Sequence, residues 1–193
     1  MTLDGAVARS GALATDRLSL RKAQVSDAEA LFAVRSEPAV TRQYGQEPDR
    51  SVDDSLKWIQ NGLDNCARHE AMTWAITLKG KDTAIGECCI WNIDRVHRCA
   101  EIGYELHPAY WRKGIMTEAL TAILAYGFGE LGLHRMEANP LASNIASQGL
   151  LLKLGFKREG TLRQRHFFHD RFDDQIYFGL LEDEWAARPT AGP

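Results

Sequence analysis

The stretch Tyr110-Trp111-Arg112-Lys113-Gly114-Ile115-Met116-Thr117-Glu118-Ala119-Leu120 decides how the rest of the chain is read. It predicts a strand end, a basic turn closed by a glycine, and the first turn of a helix in direct succession. Met116, Ala119, Leu120, Ile123, Leu124 and Leu131 continue that helix as one apolar stripe. A helix start leaves its first backbone N–H groups without intrahelical partners, and the helix dipole adds positive charge there. Such a point favours an anion, most often a phosphate. A phosphorylated ligand is therefore the first implication. An ordinary glycine loop before a helix gives the same local pattern, so the flanking sequence has to separate the two.

Upstream, Trp74, Ile76 and Leu78 alternate, Ala84–Trp91 follows a Gly80-Lys81-Asp82 turn, and Ala100–Leu106 follows the polar connection Asp94–Arg98. These read as three strands of an antiparallel meander. Further back, Arg17–Lys22 reads as a short strand. Ser26 with Glu29 reads as the capping box of a helix bearing Leu31, Phe32 and Val34. Ser51 caps a second helix, with Val52, Leu56, Ile59 and Leu63 on one face. Downstream, His134–Asn139 reads as a strand and Ser143–Leu154 as a helix stopped by Gly155. Phe156–Phe168 and Gln175–Leu181 form two more strands around the polar turn His169–Asp174. The order is β-α-α-β-β-β-α-β-α-β-β, a mixed α/β single domain over residues 16–185. Residues 1–15 and 186–193 read as flexible tails.

Length and composition narrow the function classes. A chain of 193 residues suits one domain with its own core. A net charge of −3 gives no general reason to expect nucleic-acid binding. No apolar run has the length of a membrane span, and the start has no signal-peptide pattern. A cytoplasmic location is expected. Cys66, Cys88, Cys89 and Cys99 have no metal-ligand spacing and read as reduced thiols. Cys88 and Cys89, neighbours on a strand, point to opposite faces.

Three separated features now give the chain a resemblance. Trp111-Arg112-Lys113-Gly114-Ile115-Met116 is similar to a turn of the general form Q/R-x-x-G-x-G/A. Asn144-Ile145-Ala146-Ser147, followed by Leu154-Gly155-Phe156, matches an N-x-x-S…L-G-F helix and turn. Asp16-Arg17-Leu18-Ser19-Leu20-Arg21 is close to a matching first strand. In this order they resemble the GNAT superfamily of N-acetyltransferases, and within it the ribosomal-protein-alanine N-acetyltransferase-like branch, over about residues 16–185. Trp111 and Met116 depart from the general turn. The resemblance implies a mostly antiparallel, twisted sheet of about seven strands flanked by four helices. It also implies acetyl-CoA as cosubstrate and a primary amine as acceptor, either a protein N-terminus or a small molecule such as a polyamine, antibiotic or amino-acid-like compound. A monomer or homodimer is expected, without a metal. A non-catalytic acyl-CoA-binding module is the rival reading.

The implied reaction needs a base for the ammonium, a donor for the oxyanion and an acid for the departing thiolate. Glu101 and His166 are the base candidates. Glu101 sits on the strand leading to the turn, where some family members use a glutamate, and a partly buried carboxylate acquires a raised pKa. His166 falls where the ribosomal branch has a glutamate, and imidazole titrates near neutrality. Each also reads as a surface residue, Glu101 paired with a cation and His166 among Arg163, Arg165, His169 and Arg171. Ser147 is the acid candidate, because a tyrosine used elsewhere in the family is replaced by Leu151. Asn144 contacts the pantetheine arm, caps its helix, or does both. The resemblance places the oxyanion donor at a backbone N–H near Leu106. Arg112, Lys113, Gly114, Ile115, Met116 and Thr117 surround the phosphates, with His107 nearby. Met116 is the residue able to narrow the site. Glu47, Asp49, Asp53 and Asp54 either attract a cationic amine or are a solvated helix start. Trp58, Trp74 and Trp91 read as core or cleft wall, and His134 as structural.

Overall fold

The structure is a computed structural model that describes residues 11–188. Alternation in three consecutive strands sets the faces of its sheet. Trp74 and Ile76 of β3 (Met72–Leu78), Cys88 and Ile90 of β4 (Ala84–Asp94) and Ile102 of β5 (Cys99–Leu106) share one buried face. The helix α4 (Ile115–Gly129) closes that face with Leu120, Ile123 and Leu124. On the opposite face Ala75 and Ala84 meet α1 (Ala28–Arg35), α2 (Pro38–Thr41) and α3 (Val52–Ala67), through Leu31, Val34, Val40 and Ile59. Two apolar layers thus enclose one sheet.

Eight strands form that sheet in the order β1-β2-β3-β4-β5-β6-β8-β7. β1 (Leu13–Ala14) and β2 (Leu18–Lys22) lie at one end, while β6 (Arg135–Ala138), β8 (Arg171–Leu181) and β7 (Lys157–Phe168) extend the other. All neighbours are antiparallel except β5 and β6. That parallel pair holds only at Cys99↔Arg135, Ala100↔Met136 and Glu101↔Glu137. β5 then runs on to Leu106 without a partner on that side, which opens a wedge in the sheet. α4 and α5 (Ile145–Lys153) supply the wedge's remaining walls.

The expected mixed α/β architecture is present, with differences at its edges. Among the described residues the sheet has eight strands rather than about seven, flanked by six helices rather than four. The extra helices are α2 and α6 (Glu182–Ala186), only 4 and 5 residues long. Leu13 and Ala14, expected within a flexible tail, pair with Leu20 and Ser19, and the Gly11 carbonyl accepts from Trp74 Nε1 at 3.2 Å. A two-residue strand has too little alternation to be read from sequence. At the other end, the Arg188 guanidinium lies 4.6 Å from the Trp185 ring centroid. Residues 1–10 and 189–193, the rest of the two expected tails, lie outside the described residues.

Two helix limits also differ. Gln24, not Ser26, stands at the N-cap of the first helical segment, and its capping box is completed by Asp27. The Asp27 carboxylate accepts from Gln24 N–H at 2.8 Å and from both Arg21 Nη atoms at 2.6 and 2.8 Å. Arg21 fixes that carboxylate by an ion pair, while the Ser26 hydroxyl turns to the Gln24 side chain at 3.4 Å. α4 stops at Gly129, so Leu131 is buried after the helix rather than on its stripe. Ser51 does cap α3, and its N–H donates to the Asp54 carboxylate at 3.1 Å.

Candidate active site

The wedge between β5 and β6 contains a cavity of about 470 Å³, walled by the end of β5, the turn before α4, the start of α4 and one side of α5. The hydrogen-bond register of β4 and β5 determines what β5 offers to it. His107 N–H donates to the Ile85 carbonyl at 2.9 Å, so Gly86 and Leu106 form a non-hydrogen-bonded pair. In such a pair the N–H and C=O point away from the neighbouring strand. Those of Leu106 therefore face the wedge, and its carbonyl accepts from the Trp111 indole Nε1 at 2.6 Å. The Leu106 side chain lines the cavity as well.

Gly114 opens α4 with φ +74°, a left-handed conformation that costs an L-residue about 1–2 kcal/mol. Arg112 is also left-handed, at φ +57°. The first α4 bond runs from Glu118 N–H to Gly114 C=O at 3.0 Å, which leaves the N–H groups of Ile115, Met116 and Thr117 ahead of the helical ladder. All three residues line the cavity, with Arg112 and Gly114. Met116 is half-buried against the core and forms part of the wall without filling the space.

Arg17, far away in sequence, braces this turn. Its Nη1 donates to the Lys113 carbonyl at 3.0 Å, and its Nε to Glu118 at 2.6 Å. Burial raises the Glu118 pKa, but bonds from Thr15 and Arg17 outweigh it and hold the carboxyl below its ordinary value. Glu118 is thereby turned toward β2 rather than across the helix N-terminus. Lys113 does not line the cavity; its Nζ lies 5.8 Å from the Tyr110 ring centroid. His107 does not line it either. Its Nδ1 accepts from Ala109 N–H at 3.2 Å and caps the short turn Pro108–Tyr110.

On the far wall, Ser147 Oγ and Tyr104 Oη are 2.7 Å apart. Burial pushes the Tyr104 phenol up to about 12, although the bond to Ser147 opposes the shift, so the phenol stays protonated. Asn144 caps α5 by accepting from Ser147 N–H at 2.9 Å, and its Nδ2 donates to the Gln43 carbonyl at 3.0 Å. It thus fixes Ser147 and ties α5 to the segment after α2. Leu151 is fully buried in the core.

Glu105 points to the opposite face of β5 from Tyr104 and Leu106, and it too lines the cavity. Tyr44 Oη donates to its carboxylate at 2.8 Å, and Arg35 Nη1 at 3.2 Å. Arg35 also binds Asp49 at 3.0 Å, lies 4.1 Å from the Trp58 ring centroid, and is buried. Directly opposite Glu105 in register is Glu87, which accepts from Trp58 Nε1 at 2.6 Å. The Arg35 guanidinium thus pairs with Glu105 and Asp49, while Glu87 is held by the Trp58 indole. Burial and then the Glu105 charge push the Glu87 carboxyl up to about 8. Glu105 is also raised, by burial, against the pull of Arg35 and Tyr44. Burial pushes the Cys88 and Cys89 thiols up, which leaves them poor nucleophiles.

The two base candidates lie off this cavity. Asn92 and Asn139 donate to the two oxygens of Glu101 at 2.8 and 2.7 Å, so its partners are neutral amides rather than a cation. His166 on β7 donates through Nε2 to the Gly45 carbonyl at 3.2 Å. The acidic stretch does not act as one cluster: Asp49 binds Arg35, Asp54 caps α3, Glu47 binds His169, and Asp53 is exposed. Trp74 is core, Trp91 is exposed, and Trp58 covers Arg35. His134 lies 3.1 Å from Glu182 at the sheet margin.

Tyr104, Glu105, Tyr44, Arg35 and Arg17 were not singled out from sequence. Tyr104 and Glu105 had a signal, namely a phenol and a carboxylate beside the strand end already assigned to the oxyanion. Arg35, Tyr44 and Arg17 had none, because 61 to 101 residues separate them from Glu105 and Glu118.

Among the described residues, no helix is long and apolar enough to cross a membrane, and no group of three or more His, Cys, Asp or Glu residues could hold a metal ion. Residues 17–157 match the Acetyltransferase (GNAT) domain family. The uncharacterized N-acetyltransferase YoaA of Bacillus subtilis is 39% identical over 86% of this chain and 94% of its own length. The uncharacterized N-acetyltransferase p20 of Bacillus licheniformis is 37% identical over 90% of this chain and 98% of its own. The ribosomal-protein-serine acetyltransferase of Escherichia coli is 28% identical over 70% of this chain and 75% of its own. A solved probable acetyltransferase (GNAT family) from Chromobacterium violaceum superposes with a TM-score of 0.81 at 27% identity, covering 92% of this chain and 89% of that one. The chain belongs to the GNAT acetyltransferase family, whose members use acetyl-CoA, and is an N-acetyltransferase.

Proposed function

We propose that the wedge cavity seats acetyl-CoA and that the acetyl group passes to a primary amine, with a protein N-terminus as the acceptor class. The observation that carries the cofactor half is the convergence of Gly114, the α4 N-terminus and the inward-facing Leu106 amide on one cavity. The N–H groups of Ile115, Met116 and Thr117 hold the pyrophosphate, helped by Arg112 and braced by Arg17. A backbone site of this kind tolerates Trp111 and Met116, since the contacts do not depend on those side chains. The Leu106 N–H receives the developing oxyanion. Ser147, backed by Tyr104, returns a proton to the thiolate, and the buried phenol stays protonated for that task.

The N-terminal acceptor reading is supported by the N-x-x-S…L-G-F pattern and by the Escherichia coli relative named for a ribosomal-protein serine. A small cationic amine is the second reading, favoured by the buried carboxylate Glu105 on the cavity wall.

Calorimetric titration with acetyl-CoA, with ATP as control, tests the first half. Saturable binding of acetyl-CoA with much weaker ATP is expected, and a folded protein that binds neither would refute it. Thiol release is then followed with a serine-initiated peptide, the same peptide N-acetylated, and spermidine. Turnover of the free peptide alone supports the N-terminal reading. Turnover of spermidine alone transfers the assignment to small amines.

A further inference from the structure

Neither Glu101 nor His166 lines the wedge cavity; the carboxylate that does is Glu105. We infer that Glu105 is the catalytic base, taking the proton from the acceptor ammonium, with Arg35 and Tyr44 as its positioning residues. This rests on the cavity being the acetyl-CoA site.

Three observations support it. Glu105 lines the cavity, whereas Glu101 and His166 do not. Its neighbour Leu106 turns its amide into the wedge, so base and oxyanion donor are adjacent on one strand end. Alternation then places Glu105 on one face of β5 and Tyr104, with Ser147, on the other. An acyl group held at the strand edge has a base on one side and a proton donor on the other.

The protons balance. One proton leaves the ammonium for the Glu105 carboxylate. The freed lone pair forms the C–N bond to the acetyl carbonyl carbon, and the C–S bond breaks. Ser147 gives its proton to the departing thiolate, and the second proton, shed by the nitrogen on becoming an amide, replaces it on Ser147 through solvent. Glu105 returns its proton to water.

The groups facing Glu105 are Arg35 from α1, Tyr44 after α2, Glu87 from β4 and, behind Arg35, Asp49. Arg35 and Tyr44 hold the carboxylate ionised, while burial and Asp49 oppose them and leave its pKa raised. A raised carboxylate is suited to proton abstraction near neutral pH.

The test uses Glu105→Gln, Glu101→Gln, His166→Gln and Tyr44→Phe in the full chain. The readouts are acetyl-CoA binding by calorimetry and pH profiles of acetyl transfer to the free serine peptide and to spermidine. For Glu105→Gln the expected loss in kcat is about 100-fold or more, with acetyl-CoA affinity retained and the acidic limb of the profile gone. Glu101→Gln and His166→Gln stay within about threefold of the parent, far below a general-base effect. Tyr44→Phe keeps the carboxylate but removes a bond to its ionised form, so its acidic limb moves to higher pH. That shift keeps the question decidable should Glu105→Gln fail to fold. Parent-like rates for Glu105→Gln, a large loss for Glu101→Gln or His166→Gln, or an unmoved limb for Tyr44→Phe overturn the assignment while leaving the cavity reading intact. Turnover of neither amine by the parent chain also overturns it. Absence of acetyl-CoA binding by the parent instead removes the cavity reading beneath it.

Discussion

Trp111 Nε1 donates to the Leu106 carbonyl at 2.6 Å, tying the basic turn to the end of β5. The bond spans five residues and fixes the distance between the Leu106 amide and the start of α4. One of the two residues that depart from the general turn is thus the one that clamps it. Trp111→Phe keeps a ring but removes the donor. Stability should fall by about 1 kcal/mol, the usual net worth of such a bond. Acetyl-CoA affinity should fall by several-fold. Thermal melts and calorimetry check both, and unchanged affinity would mean that the clamp does not organise the site.

Gly114→Ala places a Cβ at φ +74° and 3.3 Å from Arg17 Nη2. Backbone strain of about 1–2 kcal/mol follows. The turn should relax toward helical geometry and withdraw its N–H groups from the anion. The expected result is a modestly lowered Tm with acetyl-CoA affinity down about tenfold, which corresponds to about 1.4 kcal/mol. A lowered Tm with intact binding would remove Gly114 from the phosphate site.

Ser147 and Tyr104 share one hydrogen bond, so their effects should not add. Ser147→Ala and Tyr104→Phe are each expected to lower kcat by about tenfold or more, with the double variant little worse than the more damaging single one. Steady-state rates for the four proteins close the cycle. Full additivity would mean that the two hydroxyls act separately.

Glu87 makes stability depend on pH with a defined sign. Its carboxyl is raised from the ordinary 4.5 to about 8, so the folded state holds a proton that the unfolded chain releases. Stability present below the lower value is lost as pH rises through the window to about 8. The slope per group is at most about 1.4 kcal/mol per pH unit. Glu87→Gln still offers an oxygen to Trp58 Nε1 but cannot ionise. Denaturant melts from pH 5 to 9 should show a flatter profile and a variant more stable than the parent at the alkaline end. Glu105, also raised by burial, leaves part of the slope in place. Equal slopes would show that Glu87 does not titrate in this range.

The sequence by itself determined the local elements and the basic glycine turn. Alternation in β3, β4 and β5, the glycine before α4, the Ser51 cap and the Asn144 cap depend on neighbours a few residues apart, so a period or a spacing records them. Gly114 and Met116 were legible for that reason, the family resemblance added Leu106, Asn144 and Ser147, and all five line one cavity. Only the tertiary structure decided which carboxylate faces the cavity. Glu101 and Glu105 share a strand face in the one-dimensional pattern. The parting of β5 from β6 after Glu101 leaves the first bound to two asparagines and sets the second beside the cavity. The charge state of Glu105 was equally hidden, because it depends on Arg35, 70 residues away, and on Tyr44, 61 residues away. Burial and long-range pairing set a pKa, and neither is written in the spacing of residues along a strand.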